Sequence, residues 1–466
     1  MLFNSWVFAL FFAAVYPLYL VFDHRKQNLL LLAASYFFYG WWDWRFLSLL
    51  WLSTGVDYWC ALEIDKSAEK GRRKFFLLLS IGTNLGVLGF FKYFNFFSAN
   101  LQAVLGGLGL EFSPLALNII LPVGVSFYTF QTMSYVLDVY RRDLKPAKRL
   151  LDFALYISFF PQLVAGPIER ATHLLPQVLG ERRVTKEGVR EGASLILWGL
   201  FQKVFVADSL ARIVEPLFRT GPPYEGASVL LALYAFAFQI YCDFAGYSNI
   251  ARGLGKCMGF DIMVNFNLPY FSTNPSEFWQ RWHISLSTWL RDYLYIPLGG
   301  NRKGTVLTFR NLALTMFLGG LWHGAAWTFV LWGIYHGILL IAYRLAQPFT
   351  EKLSLPRFVR ALFFFHLVCL GWLLFRAESL TQVFQMLEGL VFHFNPETLS
   401  WQSDLAALAF FTGILLVLEG AQYARKNLNL ILTWRPLPRL AFYILLVHLM
   451  AVFSAPETKQ FIYFQF

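Results

Sequence analysis

A chain of 466 residues that is 57% hydrophobic and 19% aromatic, with only 14% charged residues, cannot present the surface of a soluble protein. Its formal charge of +11 does not point to nucleic acid, because the basic residues fall in short loops between apolar runs and not along one amphipathic face. The four cysteines, Cys60, Cys242, Cys257 and Cys369, make no CxxC pair, which leaves no basis for a disulfide framework or a cysteine zinc site.

Apolar windows of about 17–25 residues, the length that crosses a bilayer core, recur from one end of the chain to the other. The first, Leu2 to Phe22, lacks a basic start and an Ala-x-Ala cleavage site, so it reads as a retained span and not a signal peptide. Candidate spans follow at 6–22, 28–43, 46–61, 75–97, 115–137, 192–211, 226–248, 305–320, 325–343, 361–375, 405–423 and 440–455. The class is therefore all-α and polytopic, with 10–12 transmembrane helices. No repeat or linker divides the chain, and 1–466 reads as a single domain.

Basic loops set the sidedness. Loop 62–74 carries Lys66, Lys70, Arg72, Arg73 and Lys74, and loop 140–149 carries Arg141, Arg142, Lys145, Lys148 and Arg149, so both are expected on the cytoplasmic face. Segment 98–114, whose only charge is Glu111, is expected outside. Loop 181–190 is basic again, yet 151–166 is apolar and starts near the same face. That segment is expected to dip in and return, broken by Pro161, Gly166 and Pro167, with a cavity implied. Arg425, Lys426, Arg435 and Arg439 mark a further inner loop and put the tail Pro456–Phe466 outside. Asp138, next to a basic loop, reads as an interfacial charge.

Residues 274–300, NPSEFWQRWHISLSTWLRDYLYIPLGG, are too polar to span. Asn274, Pro275 and Glu277 form a helix start, and 3.6-residue spacing then predicts one amphipathic in-plane helix. Phe278, Trp282, Leu286, Trp289 and Tyr293 make its apolar stripe; Ser276, Gln280, His283, Ser287 and Arg291 make its polar one. By spacing alone, an ordinary structural hydrogen bond explains His283 somewhat better than catalysis does, and spacing does not settle it.

His323, in FLGGLWHGAAW (317–327), lies among small and apolar residues, where an ionisable group is costly and hence a functional candidate. Desolvation keeps such an imidazole neutral, the form that a general base needs. His336 in YHG, thirteen residues on, would lie about 220° away around a continuous helix and reads as structural. No HExxH pair or Cys/His cluster supports a metal site. Asp243, in YCDFAGYSN, is the clearest intramembrane carboxylate; it can orient a histidine or substrate or bind a neighbouring helix.

The segments FFPQLVAGPIER (159–170), QIYCDFAGYSNIARG (239–253), SEFWQRWHISLSTWLRDYLYIPLGGNRKG (276–304) and LGGLWHGAAWTFVLWGIYHG (318–337) resemble the membrane-bound O-acyltransferase family, and within it the bacterial alginate-acetylation branch. The resemblance implies a ring of tilted spans around a thin centre where two funnels meet. It implies catalytic roles for His323, as general base, and for His283, within a catalytic stretch of about 159–343. The donor would be cytoplasmic acetyl-CoA or an acyl-carrier thioester, held by Gln280, Arg281 and Ser287, with Asp243 and Trp322 as further substrate-binding candidates and no bound cofactor.

Partners implied are extracytoplasmic acetyltransferases, an exported polysaccharide and membrane lipids, in the bacterial cytoplasmic membrane. The aromatic tail ends FIYFQF, and Tyr463 is a candidate acyl relay beside the plainer reading of an interfacial anchor. A transporter or flippase, a scaffold without chemistry, and transfer to cellulose, peptidoglycan or teichoic acid stay open at this point.

Overall fold

A computed structural model describes residues 1–110, 117, 119–164, 166–350, 355–398, 401–453 and 461–462. Among these the secondary structure is helical throughout, with no strand. Among the described residues, seven helices are long and apolar enough to cross a membrane: Lys70–Gly107, Lys186–Arg219, Gly226–Cys257, Trp327–Phe349, Arg357–Arg376, Ser403–Arg425 and Pro436–Phe453. The windows predicted at 6–22, 28–43, 46–61 and 305–320 are also helices, shorter or more polar than these.

The chain packs as two compact units, Met1–Ala193 with Ala251–Met263, and Ser194–Ile250 with Val264–Phe466. The first holds α1 (Trp6–Val21), α2 (His24–Asp43), α3 (Leu47–Lys66), α4 (Lys70–Leu88), α5 (Phe94–Gly107), α6 (Val125–Arg141), α7 (Leu150–Ser158), α8 (Phe160–Leu163) and α9 (Ala171–Leu179). A π turn at Gly89–Tyr93 carries α4 into α5. Ser5 and Asp23 cap α1 and α2, their side chains accepting from the amides of Phe8 and Lys26. Phe3, Phe11, Phe38 and Phe160 then pack ring to ring, with centroids 5.3–5.8 Å apart for Phe11–Phe160, Phe38–Phe160 and Phe3–Phe38.

The break predicted near Pro161 is present, between α7 and α8. Protein covers it: the freed carbonyl of Tyr156 accepts from Gln131 Nε2 (2.8 Å) and Gln162 Nε2 (2.9 Å), and Phe160 N donates to Ser35 Oγ (3.0 Å). Asp138, expected at an interface, is instead buried. A second buried carboxylate, Asp57 on α3, accepts from Ser80 Oγ at 2.5 Å and Asn84 Nδ2 at 2.8 Å, and Thr132 Oγ1 on α6 donates to Asn84 Oδ1. Among the described residues, neutral donors meet this carboxylate, and they tie three helices together where lipid supplies no hydrophobic drive for association.

The division between units falls within α10 (Lys186–Leu200) and α12 (Gly226–Cys257). The second unit continues through a π segment, Phe201–Ala207, to α11 (Asp208–Arg219). It then holds α13 (Pro275–Arg281), α14 (Ile284–Leu290), α15 (Thr305–His323), α16 (Trp327–Thr350), α17 (Arg357–Arg376), α18 (Leu380–Phe392), α19 (Trp401–Arg425) and α20 (Pro436–Phe453).

Helices α15 and α16 touch backbone to backbone. A Cβ on Gly320 would lie 2.4 Å from the Phe329 carbonyl oxygen, and one on Gly333 would lie 2.3 Å from that of Met316. Large apolar side chains point outward, among them Trp6 (87% exposed) and Val417 (76%), which suits an exterior bathed in lipid.

Candidate active site

The single amphipathic helix expected from 275 onward does not form. Asn274 does cap α13, its Oδ1 accepting from Glu277 N at 2.8 Å, but the helix stops at Arg281 and a second, α14, starts at Ile284. Between them His283 adopts a left-handed backbone, φ 42°. The competitor is Asn265: its carbonyl accepts the Ile284 amide at 2.9 Å and draws that N–H out of the helical ladder. The two-face arrangement therefore fails, and His283 is buried rather than presented on a polar face.

Asn265 also sets the chemistry of that imidazole. Its Oδ1 lies 3.2 Å from His283 Nδ1 and accepts from Ser285 Oγ at 2.9 Å, while its Nδ2 donates to Ser248 Oγ at 3.2 Å. A carbonyl oxygen can only accept, so the proton sits on Nδ1 and the lone pair on Nε2. Burial pushes the His283 imidazole down to about 3, and the ring is neutral at any working pH. Phe244 meets it edge-on with centroids 4.6 Å apart.

His323 is the last residue of α15. The helix ends there because Gly324 turns extended, and a Cβ at Gly324 would strike the Phe329 ring at 2.2 Å. The imidazole is 4% exposed and is walled by Trp322, Trp332 and Phe375, with ring centroids 4.9, 4.9 and 5.4 Å away. The Trp322 ring lies 6.2 Å from His283, so one indole neighbours both histidines. Because α15 ends at His323 and α16 starts at Trp327, His323 and His336 do not lie on one continuous helix. His336 is buried against Trp332 as well, at 4.8 Å, and neither ring nitrogen has a hydrogen-bond partner among the described residues.

Asp243 is buried in a charged cluster that its sequence context only partly indicates. Lys203 Nζ, in the π segment, lies 2.6 Å from Asp243 Oδ1 and 2.8 Å from Asp208 Oδ1. The other oxygen of Asp243, Oδ2, accepts the backbone amide of Ile462 at 2.7 Å. Phe461 beside it is fully buried, its ring 4.5 Å from Tyr247 and 5.7 Å from Phe244, the ring that touches His283. Residues 461–462 of the tail thus lie in the interior, two rings from an active-site candidate. Tyr463 itself lies outside the described residues.

The three expected donor-arm residues are elsewhere. Gln280 is exposed, and Ser287 Oγ donates to the Trp282 carbonyl at 3.0 Å. Arg281 pairs with Glu277 at 3.1 Å and donates to the Asn267 carbonyl at 3.0 Å. Among the described residues no three His, Cys, Asp or Glu side chains gather closely enough for a metal ion. Sequence reasoning misses Lys203 and Asn265. The first has a signal, a lysine five residues before an aspartate in an apolar window; the second has none.

The MBOAT, membrane-bound O-acyltransferase family profile matches residues 147–380. A "Probable alginate O-acetylase AlgI" of Pseudomonas putida is 41% identical over 100% of both chains. This chain belongs to the membrane-bound O-acyltransferase family. A "Peptidoglycan O-acetyltransferase" of Helicobacter pylori is 34% identical over 84% of this chain and 80% of its own. A "Teichoic acid D-alanyltransferase" of Bacillus subtilis is 30% identical over 56% and 70%. Membership in this family makes the protein a membrane-embedded acyltransferase, in place of the transporter and scaffold readings.

Proposed function

We propose that this acyltransferase takes an acetyl group from acetyl-CoA at the cytoplasmic face of the bacterial inner membrane and delivers it for O-acetylation of an exported polysaccharide, alginate being the polymer in the name of its full-length Pseudomonas relative. The observation that carries the reading is the pair of buried histidines that both neighbour Trp322, with Phe461 of the chain's own tail buried against the Phe244 ring that contacts His283.

His323 acts as general base. It removes the proton from an acceptor hydroxyl as that oxygen bonds to the thioester carbonyl carbon; the C–S bond then breaks, and the thiolate leaves with the proton returned by the imidazolium. The first acceptor is the Tyr463 phenol, one residue beyond the amide held by Asp243. The acetyl-tyrosine passes the group to an extracytoplasmic acetyltransferase partner, which chooses the polymer hydroxyl. His283, with Nδ1 held by Asn265, offers Nε2 to the reaction. Trp322 and the surrounding rings exclude water, which would otherwise hydrolyse the ester. The Helicobacter relative supports a second acceptor, peptidoglycan, for the same chemistry.

The test is labelled acetyl-CoA with the purified chain. Label should appear on the C-terminal peptide at Tyr463; His323→Ala should release no CoA and carry no label, and Tyr463→Phe should lose polymer acetylation. A fully active Tyr463→Phe with no label at that position removes the relay, and a fully active His323→Ala removes the base.

A further inference from the structure

The first unit carries a half-open cavity of about 700 Å³ at the start of α2, the 142–149 loop and the end of α9. Four cations line it: Arg25, Lys145, Lys148 and Arg149. Just outside, Lys26 pairs with Asp23 and Arg142 with Asp65, whereas among the described residues no carboxylate comes within ion-pair distance of any of the four. One acid, Asp152, also faces the cavity. Four cations against one carboxylate leave a net +3, with His24 left out of the count.

The floor is fixed. Arg182 Nη2 donates to Asn28 Oδ1 at 2.7 Å, and the buried Asn28 donates through Nδ2 to Asp152 Oδ1 at 3.1 Å and to the Val178 carbonyl at 3.0 Å. His24 Nε2 donates to that same carbonyl at 2.9 Å. Asp152 is thereby tied to Asn28, whereas the four lining cations have no carboxylate partner among the described residues. Leu29, Leu151 and Leu179 supply apolar wall, and Leu29 and Leu179 are about half exposed, as at a boundary between headgroups and acyl chains.

We propose that this cavity binds the headgroup of an anionic phospholipid, and best one with two phosphodiesters. Basic pockets between membrane helices on the inner face capture such headgroups, and the charge excess decides among lipids. A zwitterionic headgroup brings no net charge to a +3 cavity, a single phosphodiester brings −1, and a double one brings −2. Two cations are available for each phosphate of the double headgroup. The basic loops predict the same side of the membrane, since 140–149 reads as cytoplasmic.

The experiment is native mass spectrometry of the full chain in detergent, titrated separately with diphosphatidylglycerol, phosphatidylglycerol and phosphatidylethanolamine. Diphosphatidylglycerol should bind at least tenfold more tightly than phosphatidylethanolamine, with phosphatidylglycerol between them and all three converging at high salt. Lys148→Gln with Arg149→Gln should remove the preference. Arg72→Gln with Lys74→Gln, the same change in net charge outside the cavity, should leave it intact. Asp152→Asn, which adds no cation, should tighten diphosphatidylglycerol binding and serves if the double variant does not fold. Equal binding of the three lipids, equal loss in the two double variants, or displacement of the lipid by free CoA at matching concentration each overturns the proposal, the last by assigning the cavity to a soluble nucleotide phosphate.

Discussion

Two buried carboxylates, one in each unit, are stabilised in opposite ways. Asp57 is met by a serine and an asparagine, with a threonine behind them, and needs no cation. Asp243 is met by Lys203, which Asp208 also holds, and gives its second oxygen to the backbone of the tail. Neutral donors close a site completely and serve to join helices. A charged cluster leaves an acceptor for a segment from elsewhere in the chain, while burying three ionisable groups to do so. The first arrangement is architecture, and the second couples architecture to the tail.

Lys203→Met tests this contrast most severely. Two buried carboxylates would lose their cation, which costs about 3–5 kcal/mol when one partner of a buried pair is removed. The folded yield in detergent should collapse, as read by fluorescence-detected size exclusion.

Asn substitutions then separate the two roles. Asp57→Asn should cost about 1–3 kcal/mol, because its new amide donors face the donors of Ser80 and Asn84, yet CoA release per folded molecule should be unchanged. Asp243→Asn should leave most of the fold and lower CoA release about tenfold, with the C-terminal segment newly open to carboxypeptidase. Equal effects of the two on CoA release would erase the distinction between them.

Asn265→Ala tests the imidazole clamp without touching either carboxylate. CoA release should fall about ten- to a hundredfold in kcat with KM little changed, the scale on which losing an orienting partner acts. Asn265→Asp, which still accepts from Nδ1, should recover part of it.

The smallest effect is a pH slope. His283 is held near 3 when folded and has an ordinary value near 6.5 when unfolded, so the unfolded chain binds the extra proton between those limits. Stability from this group is full above 6.5 and is lost as pH falls towards 3. At pH 5.5 the loss is about 1 kcal/mol, from one unit of separation. The thermal midpoint of the wild type should therefore fall more steeply from pH 7.5 to 5.5 than that of His283→Gln.

Features written in contiguous residues are legible in the sequence. The Asn274 cap, the chain break near Pro161 and most of the apolar windows each depend on a few neighbours, and each of these is present in the fold, whereas in window 115–137 the helix starts only at Val125. The break at His283 is hidden, because the 3.6-residue spacing continues through it; what ends the helix is a carbonyl at Asn265, eighteen positions before that histidine. The pairing of His283 with Trp322 and the reach of Ile462 to Asp243 share that property, arising from contacts between distant segments that spacing cannot encode. Gln280 and Ser287 share one face only on a continuous helix that does not exist, and they part company once it breaks.

The interior placement of Phe461 and Ile462 bears on how this molecule is handled at the bench. Fluorescent reporters, epitope tags and topology-mapping fusions are routinely joined to the last codon, on the assumption that a terminus hangs free. Here such a fusion is tethered to a stretch packed against Tyr247 and hydrogen-bonded to Asp243. An N-terminal handle leaves that stretch undisturbed and is the sounder choice for both purification and sidedness assays.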